Sequence, residues 1–176
     1  MRRPMLTVCV VIQFAKLSGF SPIITTASKQ NEVFLKSIGA THVVDRSIPL
    51  SDLDAAVKAI TVKPFKVAYD AVSSAETQNA VYDILAPSGK LEIVLGNAVD
   101  EGKITSNKEI KHISANVHLP QHRELGKSLY ARLTGLLETG EIMVPFSLSS
   151  CVSAPMLMTL LAQQCRGRPW WTCEHS

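Results

Sequence analysis

Short apolar runs alternate with amphipathic stretches along most of this chain. Ile23-Ile24-Thr25-Thr26-Ala27 and His42-Val43-Val44-Asp45 are brief, rich in β-branched residues and flanked by polar turns, the signature of buried strands. Between them the pattern shifts to helical spacing, ends near Ile38, and meets Gly39 as a stop. Ser28 stands where that helix would be capped. Ahead of the first strand, residues 7–18 place Val8, Val11, Ile12 and Ala15 on one face, with Gly19 as the stop.

The alternation continues. Ser51 is positioned to cap a helix with Leu53, Ala56, Val57 and Ile60 on its apolar side. Residues 66–72 read as a strand. Ser73 and Glu76 have capping-box spacing before a helix presenting Ala80, Val81, Ile84 and Leu85. Pro87-Ser88-Gly89 turns the chain into a strand at 91–95. A further strand is expected at 113–117. A helix is expected at 124–139, with Leu125, Leu129, Leu133, Leu136 and Leu137 inward and Gly140 at its end. This order predicts an α/β fold, a parallel sheet with helices on both faces.

After Ile142 the pattern breaks. Residues 143–176 hold three prolines, serine clusters and a Trp170-Trp171 pair, with one short apolar helix expected near 156–161. Three of the four cysteines, Cys151, Cys165 and Cys173, fall in this stretch, and Cys9 stands apart. No Cys-x-x-Cys pair occurs, so neither structural zinc nor any other metal site is expected. His118 and His122 are four apart, but Pro120 between them prevents a shared helical face, and His112 lies farther off.

Composition excludes several classes. The chain has 176 residues, 46% hydrophobic and 19% charged, which suits one globular domain. The net charge of +3 is spread along the sequence, so no nucleic-acid surface is expected. No apolar run reaches membrane-spanning length. The N-terminus has no convincing signal-peptide cleavage site, and a cytoplasmic location is expected.

The chemistry lies where strands end. In an open α/β sheet, ligands bind beyond the carboxyl ends of the strands. Ser28 and Lys29 follow the strand at 23–26, Arg46 follows the next, Ser73 and Ser74 follow the strand at 66–72, and Gly96-Asn97 follows 91–95. Each has a plainer reading: helix cap and solvated lysine, surface arginine, capping box, strand-ending turn. Asp45 and Asp70 end strands and are expected to make turn contacts. Tyr130 is expected to pack on its helix. No nucleophile elbow or Cys/His pair is present, and no catalytic residue is assigned.

Gln13-Phe14-Ala15-Lys16-Leu17-Ser18-Gly19-Phe20, Ser37-Ile38-Gly39-Ala40, Tyr69-Asp70-Ala71 and Leu85-Ala86-Pro87-Ser88-Gly89, in this order and spacing, resemble the medium-chain dehydrogenase/reductase superfamily. The resemblance spans about residues 10–142 and is nearest to the zinc-free branch, the fungal trans-enoyl reductases and quinone-oxidoreductase-like proteins. It implies an incomplete Rossmann-like domain over 1–142, without the family's first strand and glycine-rich turn, followed by an aberrant or poorly ordered tail over 143–176. A shifted reading frame or misplaced splice site would account for that tail.

The resemblance further implies NADPH as cofactor. Ser28, Lys29 and Arg46 would face its 2′-phosphate, and Ser73 and Gly96 would lie along the same cleft. The implied reaction is hydride transfer to an activated alkene or quinone. The partners implied are a small-molecule substrate and a second copy joined by sheet extension. The chain alone is expected to turn over little or no substrate. Two rival readings remain: a non-catalytic nucleotide-binding remnant or truncated gene product, and a methyltransferase. Ser28-Lys29 speaks against the methyltransferase, because such enzymes place an acid at that strand tip.

Overall fold

The computed structural model describes residues 4–114, 116, 118–143 and 158–163. Helix α1 (Pro4–Leu17) leads into strand β1 (Phe20–Ala27). A 3-10 turn at Lys29–Asn31 opens helix α2 (Glu32–Ser37), and strand β2 (His42–Asp45) follows. Then come helix α3 (Leu53–Ile60), strand β3 (Phe65–Asp70), helix α4 (Ala75–Ile84) and strand β4 (Leu85–Ile93). Strand β5 (Glu109–His112), helix α5 (Arg123–Glu138) and strand β6 (Met158–Gln163) complete the described elements.

The sheet order is β2-β1-β6-β3-β4-β5. Strands β1 and β2 pair parallel, as do β3 with β4 and β4 with β5. The four strands expected from the sequence therefore run parallel. The period of two along β1 sends Ile23 and Ala27 to one face and Ile24 to the other. On the first face they meet Val8, Cys9 and Ile12 of α1 and Leu35 of α2. On the second, Ile24, Val44, Ala68 and Leu91 pack on Leu53 and Val57 of α3 and on Val81 and Tyr82 of α4. Gly39 has φ +128, and a Cβ there would sit 2.9 Å from Cδ of Lys16, so both conformation and packing require glycine.

Strand β6 is the main departure from expectation. The Met/Leu run expected to be helical is a strand, and it fills the gap between β1 and β3, antiparallel to both. Leu160 stands in register with Ile24 on one side and Ala68 on the other, and Thr159 with Thr25 and Tyr69. A short apolar run has no period of its own, and the two open strand edges decide its conformation. The remainder of the stretch expected to be aberrant or poorly ordered lies, from residue 144 on, outside the described residues.

Smaller corrections follow the same logic. The strand expected at 113–117 is found instead at Glu109–His112, although Ile113 still donates its N–H to Ile93 O at 2.8 Å; residues 115 and 117 lie outside the described residues. An edge strand spelled Glu-Ile-Lys-His has too little apolar character to be picked out by pattern. Pro87-Ser88-Gly89 is a bulged part of β4, whose register shifts against β3, and no separate turn forms. In α5 only Gly126 is buried, whereas Leu125, Leu137 and Tyr130 are exposed. Leu129, Leu133 and Leu136 are half-buried, so the inward face expected of α5 is only partly covered, and Tyr130, expected to pack, is exposed. No helix among the described residues is long and apolar enough to cross a membrane.

Because β6 is paired along both edges, a proline within it strands a backbone carbonyl on a neighbour. Leu160→Pro is expected to lower the free energy of unfolding by about 2 kcal/mol or more. Urea titration followed by circular dichroism measures this. A loss below about 0.5 kcal/mol, the level of a neutral surface change, would mean that β6 does not hold the sheet together in solution.

Candidate functional site

The parallel strands all end at one edge of the sheet, and the candidate residues gather there in two groups separated by β6. The first group lies beyond β1 and β2. Ala27 and Asp45 are register partners, and Arg46 N–H donates to Ala27 O at 3.0 Å. Ser28 and Arg46 are therefore neighbours, each the first residue past its strand. Ser28 opens the 3-10 turn, yet its hydroxyl makes no capping bond. The expectation that it caps a helix through its side chain is corrected, because the turn closes through backbone alone: Asn31 N–H donates to Ser28 O at 2.9 Å.

Lys29 is 82% exposed, and its Nζ lies 3.8 Å from Asp45 Oδ2. At that exposure and distance the pair is weakly held and can exchange partners. Asp45 itself is fixed by the Ser47 N–H, which donates to Oδ1 at 2.9 Å. This bond holds the carboxyl below its usual range, helped by the Ser47 side chain and then by Lys29 and Arg46. Asp45 is thus a turn acid, as expected, and also the counter-charge of the candidate lysine.

The second group lies beyond β3 and β4 and is differently built. Asp70 is fully buried and accepts three hydrogen bonds: from Val72 N–H and Ser73 N–H at 2.9 Å each, and from Thr77 Oγ1 at 2.7 Å. Ser73 adopts φ +54, a left-handed conformation costly for a side-chain-bearing residue. Its hydroxyl donates to Asp70 O at 2.8 Å and accepts from Val94 N–H at 3.0 Å. Ser73 thereby latches the end of β3 to the end of β4.

The capping box is present one residue later than expected. Ser74 and Thr77 form it, because Ser73 has left the helical path. Gly96 meets this corner through its carbonyl, which accepts from Gln78 Nε2 at 2.9 Å. The same nitrogen donates to Ser73 O at 3.0 Å, and Gln78 Oε1 accepts from Ala98 N–H at 2.8 Å. No Cβ contact would oppose a side chain at Gly96, so the structure leaves open space there.

Sequence reasoning named Ser73 and Gly96 but missed Gln78 and Thr77, which bind them together. The only signal was the run Ser73-Ser74-x-x-Thr77-Gln78, which offers two overlapping cap registers. Asn31 was missed as well. Its side-chain nitrogen is buried and has no hydrogen-bond partner among the described residues. Tyr69 lies mid-sheet, where burial first and then the charges of Asp70 and Glu92 push its phenol up to about 12. It is not placed for proton transfer near neutral pH.

Comparison with known proteins fits this edge-of-sheet geometry. A family model described as zinc-binding dehydrogenase matches residues 9–120, and the chain belongs to that family of oxidoreductases. No curated protein matches. Solved structures do. A mycobacterial protein complexed with NADPH is 21% identical with a TM-score of 0.63, over 77% of this chain and 43% of that one. CurK enoyl reductase is 21% identical with a TM-score of 0.60, over 76% and 40%. A Mesorhizobium loti protein assigned as an NADPH:quinone reductase is 19% identical with a TM-score of 0.60, over 80% and 46%.

Such identities show the fold, which is the Rossmann-like sheet expected from the sequence. The chain spans less than half the length of these three relatives. The family name implies zinc, and zinc needs three or four converging ligands. Among the described residues no group of three His, Cys, Asp or Glu side chains converges, so they do not fit that ion.

The buried Asp70 corner generates a stability prediction. Thr77→Val removes the one side-chain donor to this carboxylate among the described residues and half of the capping box. Unfolding free energy should fall by about 2–3 kcal/mol. Ser74→Ala removes only the cap and should cost about 1 kcal/mol. Equal losses in thermal or urea melts would show that the Thr77–Asp70 bond carries nothing of its own.

Proposed function

We propose that the chain is the cofactor-binding part of an NADPH-dependent reductase of the zinc-free trans-enoyl reductase and quinone oxidoreductase type, the type its motifs resemble. One observation carries the reading. The tip of β1 offers a hydroxyl, a lysine and the neighbouring Arg46, just past β2, and no acidic residue of its own. An acid there would bind the ribose 2′-hydroxyl of NADH, whereas cations and hydroxyls suit a 2′-phosphate. The donor set fits that end of the cofactor: Ser28 Oγ has no capping bond, and Lys29 is solvated and weakly paired.

When bound, the cofactor supplies a hydride. The activated alkene or quinone class of substrate follows the relatives described as an enoyl reductase and an NADPH:quinone reductase. The residues beyond β3 and β4 contribute shape. Ser73 and Gln78 hold the strand ends together, and the open surface at Gly96 leaves room for a ring at the sheet edge. We place the protein in the cytoplasm.

A second reading, a nucleotide-binding module without catalysis, is favoured by β6. A parallel strand leaving the central slot would turn into a helix and present backbone N–H groups to a pyrophosphate. Strand β6 runs the other way, with Met158 rather than its last residue opposite Asp70. The two readings share the adenosine end and diverge at the nicotinamide end.

NADPH is therefore expected to bind more tightly than NADH, by roughly ten- to a hundredfold for one charge-assisted phosphate contact. Lys29→Ala should erase most of that difference. Isothermal titration of both proteins with both cofactors measures it, and equal affinities unchanged by the substitution would refute the NADPH assignment. Oxidation of NADPH in the presence of enoyl thioesters or quinones separates the reductase from the binding module.

A further inference from the structure

The turn that carries Ser28 and Lys29 contains a polar group with no structural task. Asn31 is 6% exposed, and its Nδ2 has no partner among the described residues. It stands at the N-cap of α2, where asparagine is a favoured capping residue, but its side chain makes no capping bond. A buried, unsatisfied amide donor costs stability and calls for a specific reason.

The turn geometry supplies one. Asn31 N–H closes on Ser28 O at 2.9 Å, so the two residues lie one above the other across a single 3-10 turn. The residues between them, Lys29 and Gln30, are both exposed, while Ser28 is half-buried and Asn31 buried. The turn thus has an exposed side carrying Lys29 and Gln30 and a more buried side carrying Ser28 and Asn31. No hydrogen bond among the described residues fixes the Asn31 carboxamide. Rotation about its last torsion, which is broad for asparagine, exchanges the positions of nitrogen and oxygen without breaking any bond.

We propose that Asn31 is a further phosphate-binding residue of this site, its amide turning to donate to the adenosine 2′-phosphate from the more buried side of the loop. This rests on the NADPH reading and adds a neutral donor to it. Lys29 Nζ serves the outer oxygens, Ser28 Oγ shares the more buried side with Asn31, and Arg46 lies past the adjacent strand. Two carboxylates oppose a phosphate here: Asp45, which accepts from the Ser47 N–H, and Glu32, directly after Asn31, which is paired with Lys36 Nζ at 2.7 Å. An asparagine in this position adds no charge, so it helps distinguish a phosphate from bulk anions that answer to the cations alone.

The test uses the full chain, with adenosine 2′,5′-bisphosphate as probe and adenosine 5′-monophosphate as its control. Asn31→Asp keeps a good capping residue and nearly the same shape, and it removes the donor. It should weaken the bisphosphate by about tenfold or more and change the monophosphate by less than about twofold. Asn31→Ala should show the same selective loss. In the unsubstituted protein, the Asn31 side-chain amide signal in 15N-labelled material should shift on adding the bisphosphate and not the monophosphate. If the unsubstituted chain shows no preference for the bisphosphate, the NADPH reading and this proposal fall together. If it does, but the Asn31 signal stays still and both variants bind as before, this proposal alone is overturned.

Discussion

Two open strand edges set the rest of this structure. The connection from β2 through α3 to β3 leaves β1 and β3 pointing the same way with a one-strand gap between them. Each would face that gap with unpaired backbone N–H and C=O groups, which an apolar interior does not tolerate. Strand β6, the last described element of the chain, fills the gap and is paired along both sides. The two-strand half with β1 and β2 and the three-strand half with β3, β4 and β5 then become a single sheet. Only then do their carboxyl ends form one continuous edge, with Ser28, Lys29 and Arg46 on one side of the middle and Asp70, Ser73 and Gly96 on the other.

The two sides of that edge spend their polar groups differently. Beyond β3, the side chains of Asp70, Ser73, Thr77 and Gln78 are all committed to internal bonds. That corner is a latch. It fixes where β3 and β4 end and tolerates the left-handed Ser73 because the surrounding bonds over-determine it. Beyond β1, the Ser28 hydroxyl and Lys29 are held loosely and the Asn31 amide is not held at all. A corner with a loosely paired cation and an unpartnered amide donor is where a ligand's acceptors gain most. This contrast, more than the identity of any one residue, supports the proposal that the β1–β2 side binds and the β3–β4 side is framework.

The sequence made visible what local periodicity controls. His42–Asp45 appears where expected, α5 within one residue at each end, and the Gly39 stop is explained twice over. What escaped was decided by distant partners. Met158–Gln163 becomes a strand because two edges need one, and nothing within six apolar and polar residues announces that. The cap moved from Ser73 to Ser74 because the Ser73 hydroxyl is drawn to Val94 on the next strand. Strand β5 is charged because it lies at the sheet edge, so its pattern resembled a loop. Asn31 carried no signal at all, since asparagine before a helix is ordinarily read as a cap.

Asp45 shows how finely the cofactor choice is balanced. Its carboxylate is ionised well below neutrality, because the Ser47 N–H stabilises the charged form. It sits at the end of β2, not β1, yet lies 3.8 Å from the lysine that would meet a phosphate. A 2′-phosphate must take Lys29 away from Asp45 and then sit near that negative charge. A ribose hydroxyl would meet no such repulsion and could donate to the acid. Discrimination is a difference between these two situations, so the neutral donors of the loop matter as much as its cations. In the proposed site the Ser28 hydroxyl and the Asn31 amide would serve phosphate oxygens, and neither bonds to Asp45 among the described residues. The cationic contribution, being exposed, weakens as salt rises, whereas the neutral and partly buried one persists. A site that favours phosphate in the presence of Asp45 therefore depends on the part of the loop that the charge pattern does not reveal.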